Sequence, residues 1–131
     1  MAQPALKHLL VVEDDPDQCR ALRDRLELYG YTVSCAEDGG AAIELLQEKS
    51  FHGVLLDLNL PTISGDQILA RTRESHPDLP VLILSAFHSR MRAAKKAHGG
   101  ACGYISKPFG IAELKQALQS CFGPAQQPVA S

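Results

Sequence analysis

Gly53-Val54-Leu55-Leu56-Asp57-Leu58-Asn59-Leu60-Pro61 places a carboxylate at the end of a short apolar run. Such a run, bounded by polar residues, glycine and proline, reads as a buried strand. A carboxylate at the tip of a strand faces the crevice where open parallel sheets hold their ligands. Alone, Asp57 reads equally well as a helix cap or an ordinary strand-end aspartate. The ends of the other strands separate these readings.

Strand-like and helix-like segments alternate five times along the chain. Leu9-Leu10-Val11-Val12 is a continuous apolar run, followed by Asp15 as N-cap and Pro16 at the first helical position. Cys19, Leu22, Leu26 and Tyr29 recur at helical spacing, and Gly30 suits the helix exit. Tyr31, Val33 and Cys35 alternate as a second strand, and residues 40–49 with Ile43, Leu45 and Leu46 form a second helix. After the strand ending at Asp57, a third helix begins near Gly65 with Ile68, Leu69 and Thr72 inward. Val81-Leu82-Ile83-Leu84 is the fourth strand. A weakly amphipathic fourth helix is expected over 88–98, with Met91 and Ala94 as its buried contacts. Cys102-Gly103-Tyr104-Ile105 is the fifth strand, and Ile111, Leu114, Leu118 and Phe122 share one face of the last helix. Alternation of this kind implies an α/β fold, a parallel sheet covered on both faces by right-handed crossovers.

The length of 131 residues fits one domain that buries its core without metals or disulfides. Residues 1–5 read as an extension, 6–122 as the domain and 123–131 as an aperiodic tail or the start of a linker. No stretch is apolar for long enough to span a bilayer, and Met1-Ala2-Gln3-Pro4 lacks the pattern of a secretory signal. A cytoplasmic location without membrane contact is therefore expected. Cys19, Cys35, Cys102 and Cys121 form no Cys-x-x-Cys pair and read as reduced thiols rather than a zinc site or disulfides. Charge is uneven. Residues 1–78 hold fourteen of the fifteen acidic residues and seven of the thirteen Lys and Arg, a net of −7; the six basic and one acidic residue that remain give 79–131 a net of +5. Cations this few, without interleaved aromatics, do not suggest nucleic-acid binding.

Glu13 and Asp14 follow strand one, Asp57 ends strand three, Ser85 ends strand four, and Lys107 follows strand five. In a parallel sheet these ends lie along one edge. Three carboxylates brought together raise one another's pKa unless a cation sits among them. An all-oxygen donor set suits Mg²⁺, and the lack of His or Cys in the pattern argues against zinc. A lysine and a hydroxyl beside such a site match the needs of a phosphoryl group, with Asp57 as nucleophile. Individually, Ser85 also reads as a turn residue, Lys107 as a solvated cation, and Glu13 and Asp14 as caps. At four of five strand ends together, the shared site is the better reading.

Leu10-Val11-Val12-Glu13-Asp14-Asp15, Leu55-Leu56-Asp57-Leu58-Asn59-Leu60-Pro61 with Gly65, Ile83-Leu84-Ser85-Ala86 and Tyr104-Ile105-Ser106-Lys107-Pro108-Phe109 together resemble the receiver domain of two-component response regulators. The match covers about residues 6–122. The resemblance implies a flavodoxin-like, doubly wound, five-stranded parallel sheet of order 2-1-3-4-5 with five helices. It also implies roles. Asp57 is the expected phosphoacceptor, and Asp14, Asp57 and the Asn59 backbone carbonyl are expected Mg²⁺ ligands, with Glu13 acting through a water. Mn²⁺ is an alternative occupant. Ser85 and Lys107 are expected to hold phosphoryl oxygens, and Tyr104 to move inward with Ser85 as an aromatic switch. Family members carry a cis peptide before the proline matching Pro108. Ser85 stands where threonine is more usual. Asn59 and Phe87 occupy places that tune dephosphorylation, and the Phe87 ring is expected to slow it by excluding water.

On this reading the chain is not an enzyme but a switch that accepts a phosphoryl group from a sensor histidine kinase or histidine phosphotransfer protein. Its output is expected through the face formed by the fourth helix, fifth strand and fifth helix, toward an effector or a second copy of itself. Arg90, Arg92, Lys95 and Lys96 lie on that fourth helix, which reads equally as a solvated face. The alternative is a pseudo-receiver, a binding module that is never phosphorylated. A haloacid dehalogenase phosphatase would need a second aspartate where Asn59 stands, and a P-loop enzyme would need a Gly-rich motif that does not occur.

Overall fold

The computed structural model describes residues 6–58, 60, 65–85 and 101–124. Its elements run β1 (His8–Val12), α1 (Pro16–Leu28), β2 (Thr32–Ala36), α2 (Gly39–Glu48), β3 (Gly53–Asp57), α3 (Gly65–Ser75), β4 (Val81–Ser85), β5 (Gly103–Ser106) and the C-terminal helix α4 (Ile111–Phe122). The helix expected over 88–98 lies outside the described residues, as do Asn59, Phe87, Ala86 and the basic residues 90, 92, 95 and 96. All strand pairs are parallel, and the order is β2-β1-β3-β4-β5. This is the flavodoxin-like arrangement.

Side chains alternate across a strand, so each continuous apolar run feeds two cores. Leu10, Val12, Val54, Leu56, Val81 and Ile83 pack on one face against Ala42 and Leu46 of α2 and Ile68 and Leu69 of α3. Leu9, Val11, Leu55, Leu82, Leu84 and Ile105 pack on the other against Cys19, Leu22 and Leu26 of α1 and Leu114, Leu118 and Phe122 of α4. Burying each such aliphatic side chain stabilises the fold by roughly 1.5–3 kcal/mol.

The helix ends follow local chemistry. Asp15 accepts from the Asp17 amide at 2.9 Å, and Pro16 sits in the first turn of α1. Asp38 accepts from the Ala41 amide at 2.8 Å and starts α2. Gly30, with φ 102°, turns the chain from α1 toward β2.

Several expectations change, the fifth strand among them, which runs Gly103–Ser106, one residue later than expected. Strand two begins at Thr32, not Tyr31, and most of it is half-exposed, because β2 is a sheet edge. Tyr31 is nevertheless buried, and its hydroxyl donates to the Gly123 carbonyl at 2.9 Å. Ile111 is 57% exposed while the rest of its expected stripe is buried, because the first turn of α4 overhangs a groove beside α1. Finally, Cys102 and Cys121 are disulfide-bonded rather than free. The spacing of nineteen residues concealed a Cα separation of 5.4 Å, set by α4 folding back along β5.

Candidate functional site

The register sets the strand ends in line. Val12 pairs with Leu56, Asp57 with Leu84, and Ser85 with Ser106. Residues just past these pairs therefore meet over the carboxyl edge of the sheet. The loops there are tied by backbone hydrogen bonds: Glu13 N to the Ala36 carbonyl at 3.0 Å, Leu58 N to Leu84 at 3.2 Å and Lys107 N to Ser85 at 2.9 Å. The last of these fixes the start of the Lys107 segment against the end of β4.

Gly65 governs how closely α3 approaches Asp57. A Cβ there would lie 2.5 Å from Leu58 Cα and 2.9 Å from the Asp57 carbonyl oxygen, so any larger residue must move backbone. The Gly65 amide donates to the Leu58 carbonyl at 3.3 Å.

Lys107 Nζ lies 2.8 Å from Asp57 Oδ2 and 3.0 Å from Glu13 Oε2. It also reaches Gln18 Oε1 at 3.4 Å. Both carboxylates are almost wholly buried, with Asp57 3% and Glu13 2% exposed. Asp14 is exposed at the mouth, and one oxygen each from Glu13, Asp14 and Asp57 falls within 4.8 Å of the others. Burial and a hydrogen bond with Asp57 push the Glu13 carboxyl up to about 7, against the opposing pull of Lys107. Burial works to lower the Lys107 pKa, but hydrogen bonds to Asp57 and Glu13 outweigh it and hold the ammonium above its ordinary value.

One lysine between two buried carboxylates, with a third carboxylate at the mouth, leaves excess negative charge. An all-oxygen donor set of this kind fits a hard divalent cation such as Mg²⁺. No His or Cys joins the cluster among the described residues.

The structure thus brings together Glu13, Asp14, Asp57 and Lys107, and sets the buried Ser85 at the adjoining end of β4. Tyr104 stands on β5, half-buried, and packs against the α2–α3 side of the sheet. The Lys107–Pro108 peptide is cis. Asn59 and Phe87 lie outside the described residues.

Two features escaped sequence reasoning. Gln18 joins Lys107 from the first turn of α1, and its position just after the Glu13–Asp14 pair is the signal that marks it. An apolar groove of about 580 Å³ opens beside Lys107, lined by Leu22, Phe109, Ile111 and Leu114 among others. The exposed Ile111 sits on its rim, a role no periodicity announces.

A sequence profile described as the response regulator receiver domain matches residues 9–119. The transcriptional regulatory protein QseB of Haemophilus influenzae is 35% identical over 112 residues, 86% of this chain and 51% of that protein. ZraR of Klebsiella oxytoca is 34% identical over 110 residues, 84% of this chain and 25% of that protein. The chain thus spans about half the length of one of these curated relatives and a quarter of the other. Among solved structures, Vibrio cholerae CheY4 superposes with a TM-score of 0.82 at 27% identity, covering 89% of this chain and 99% of that one. TrrA of Thermotoga maritima, solved in complex with Mg²⁺ and BeF, gives 0.79 at 30% identity, covering 87% and 97%. The receiver domain of the sensor histidine kinase PA1611 of Pseudomonas aeruginosa, with magnesium in its active-site cleft, gives 0.81 at 27%, covering 91% and 99%. Strand order, acidic edge and profile agree: the chain belongs to the response regulator receiver domain family.

Proposed function

We propose that this domain is a phosphorylation-driven signalling switch in which Asp57 takes a phosphoryl group from the phosphohistidine of a sensor kinase or phosphotransfer protein. The observation that carries this reading is Lys107 Nζ, 2.8 Å from Asp57 Oδ2, inside a cluster of three carboxylates. Burial keeps the Asp57 carboxylate out of bulk water, which favours nucleophilic attack over solvation. The phosphorus–nitrogen bond of the donor breaks as the phosphorus–oxygen bond to Asp57 forms, and the departing imidazole keeps its electron pair and takes up a proton from solvent. Lys107 lies where negative charge gathers on the transferred group, and a point charge there stabilises it.

Asp14 and Asp57 would hold Mg²⁺ directly, with Glu13 through a water and the Asn59 carbonyl as a further ligand. The ion, when bound, neutralises charge among the carboxylates and the incoming phosphoryl oxygens. Ser85 would donate its hydroxyl to a phosphoryl oxygen. Its backbone is already joined to Lys107, so a movement of either is felt by β5, which carries Tyr104. Asn59 and Phe87 would set the lifetime of the phosphorylated state by controlling access of water. The effector or second copy that reads the switch would meet it on the face made by the helix expected over 88–98, β5 and α4.

The test is intact mass after incubation with acetyl phosphate, with and without Mg²⁺, for the native chain and Asp57→Asn. The expected result is a Mg²⁺-dependent gain of one phosphoryl group that the variant lacks. A native chain that stays unmodified with both acetyl phosphate and a phosphohistidine donor would overturn the reading in favour of a pseudo-receiver.

A further inference from the structure

Cys102 immediately precedes β5 and is exposed, whereas Cys121 is half-buried in the last turn of α4. Their Cα atoms are 5.4 Å apart, inside the span of roughly 4.4–6.8 Å that a disulfide bridges, and the two are bonded. The neighbouring chain makes room for the sulfurs. A Cβ at Gly103 would sit 3.0 Å from Cys121 Sγ and 3.2 Å from Leu82 Cδ1, so a side chain there would press on the bridge by a few tenths of an ångström. Cys19 and Cys35, on α1 and β2, remain thiols, and Cys35 Sγ donates to the Cys19 carbonyl at 3.5 Å.

What the bridge joins matters more than that it forms. β5 is a four-residue strand at the sheet edge, paired with β4 on one side. The end of α4 is anchored elsewhere: Lys7 Nζ donates to the Phe122 carbonyl, Tyr31 to the Gly123 carbonyl, and the Phe122 ring is buried in the α1–α4 core. Opening the bridge therefore leaves α4 attached on the β1–β2 side. It removes the covalent tie to β5 alone, and a short edge strand held on one side opens more readily.

We propose that Cys102 and Cys121 form a reversible thiol–disulfide modification site through which a low-molecular-weight disulfide of the glutathione class sets the rigidity of β5. The thiolate of the exposed Cys102 attacks glutathione disulfide, releasing one glutathione thiolate and leaving a mixed disulfide. Cys121 then displaces the second glutathione and closes the bridge. Two protein thiols are oxidised, one glutathione disulfide is reduced to two thiols, and the protons from the protein thiols pass to them through solvent. Reduced glutathione runs the exchange backward. Because β5 carries Tyr104 and leads into Lys107, the bridge is a second input to the phosphorylation switch; this consequence rests on the function proposed above.

The test equilibrates the full chain across a series of reduced-to-oxidised glutathione buffers, with acid quenching, thiol alkylation, peptide mapping and hydrogen exchange. A Cys102–Cys121 linked peptide should rise and fall reversibly with the buffer. Amides of Gly103–Ser106 should exchange about tenfold more slowly in the bridged chain than in the reduced one. Cys121→Ser should show the reduced-state exchange in every buffer, and Gly103→Ala should need more oxidising conditions to close the bridge. Linkage to Cys19 or Cys35 instead, stable glutathionylation without closure, or equal exchange in the two forms would each overturn the proposal. Phosphoryl uptake measured on the same samples separates the two readings. A redox response without uptake removes the Asp57 switch and leaves the bridge, and uptake without a redox response does the reverse.

Discussion

The two edges of the sheet hold polar groups in opposite ways. At the amino edge, the His8 amide donates to His52 Nδ1 at 2.9 Å, and His8 Nε2 shares a 2.8 Å hydrogen bond with Ser34 Oγ. The His8 ring also packs on Phe51, centroid to centroid at 4.7 Å. Burial, then the nearby charges of Lys49 and His52, lower the His8 pKa and favour its neutral form. At the carboxyl edge, two nearly buried carboxylates share one lysine, with a third carboxylate close by. Polar groups each paired with a partner of their own serve the fold. Charges that share a single counter-charge oppose folding, and are the arrangement expected where an ion and a phosphoryl group complete the set.

The largest effect should come from Asp57→Asn, which keeps the shape of the carboxyl edge and removes the proposed phosphoacceptor. Phosphoryl uptake by mass should fall to nothing while the circular dichroism spectrum is retained. Uptake surviving in the variant would move the acceptor to another carboxylate.

Lys107→Met should come next. Breaking a fully buried ion pair costs about 3–5 kcal/mol, and because Lys107 keeps 22% side-chain exposure we expect roughly 2 kcal/mol here. Saturating Mg²⁺ should restore part of that loss in urea unfolding, since a ligand at 100 times its Kd adds about 2.7 kcal/mol. His52→Ala, at the amino edge, should cost about 1 kcal/mol, and Mg²⁺ should not restore it. Equal recovery by Mg²⁺ at both edges would erase the contrast.

Gly65→Ala tests the backbone around the carboxyl edge. With a Cβ 2.5 Å from Leu58 Cα, α3 must shift, and we expect a loss of about 1–3 kcal/mol together with weaker Mg²⁺ binding. A variant of native stability and Mg²⁺ affinity would show that α3 adapts at no cost to the site.

The smallest effect concerns pH at the amino edge. The folded pKa of His8 lies below its ordinary 6.5, so the protein binds this proton less readily than the unfolded chain does. The stability His8 contributes is present above about pH 6.5 and is lost as pH falls through the folded value. The urea midpoint should therefore drop less steeply on acidification for His8→Gln than for the native chain. Identical slopes would remove His8 from the account.

Much of this was legible in one dimension because the relevant physics is local. Five apolar runs, the Asp15-Pro16 start of α1 and the Gly30 exit follow from periodicity and capping, which depend on near neighbours alone. The gathering of Glu13, Asp14, Asp57, Ser85 and Lys107 was also foreseeable, because a parallel sheet brings the carboxyl ends of its strands to one edge. Other features needed distances between residues far apart in the chain. That Lys107 serves both Asp57 and Glu13, that Glu13 is held near neutrality, that Gly65 lies against Leu58, and that Ile111 overhangs a groove all depend on how layers seat on one another. The cysteines draw the line most sharply. Sequence spacing pointed to four reduced thiols, and only the return of α4 along β5 brought Cys121 to Cys102 while leaving Cys19 and Cys35 free. Hydrophobic pattern and strand-end chemistry determine what this chain folds into and which edge carries charge; packing in three dimensions decides which carboxylates share a lysine and which sulfurs meet.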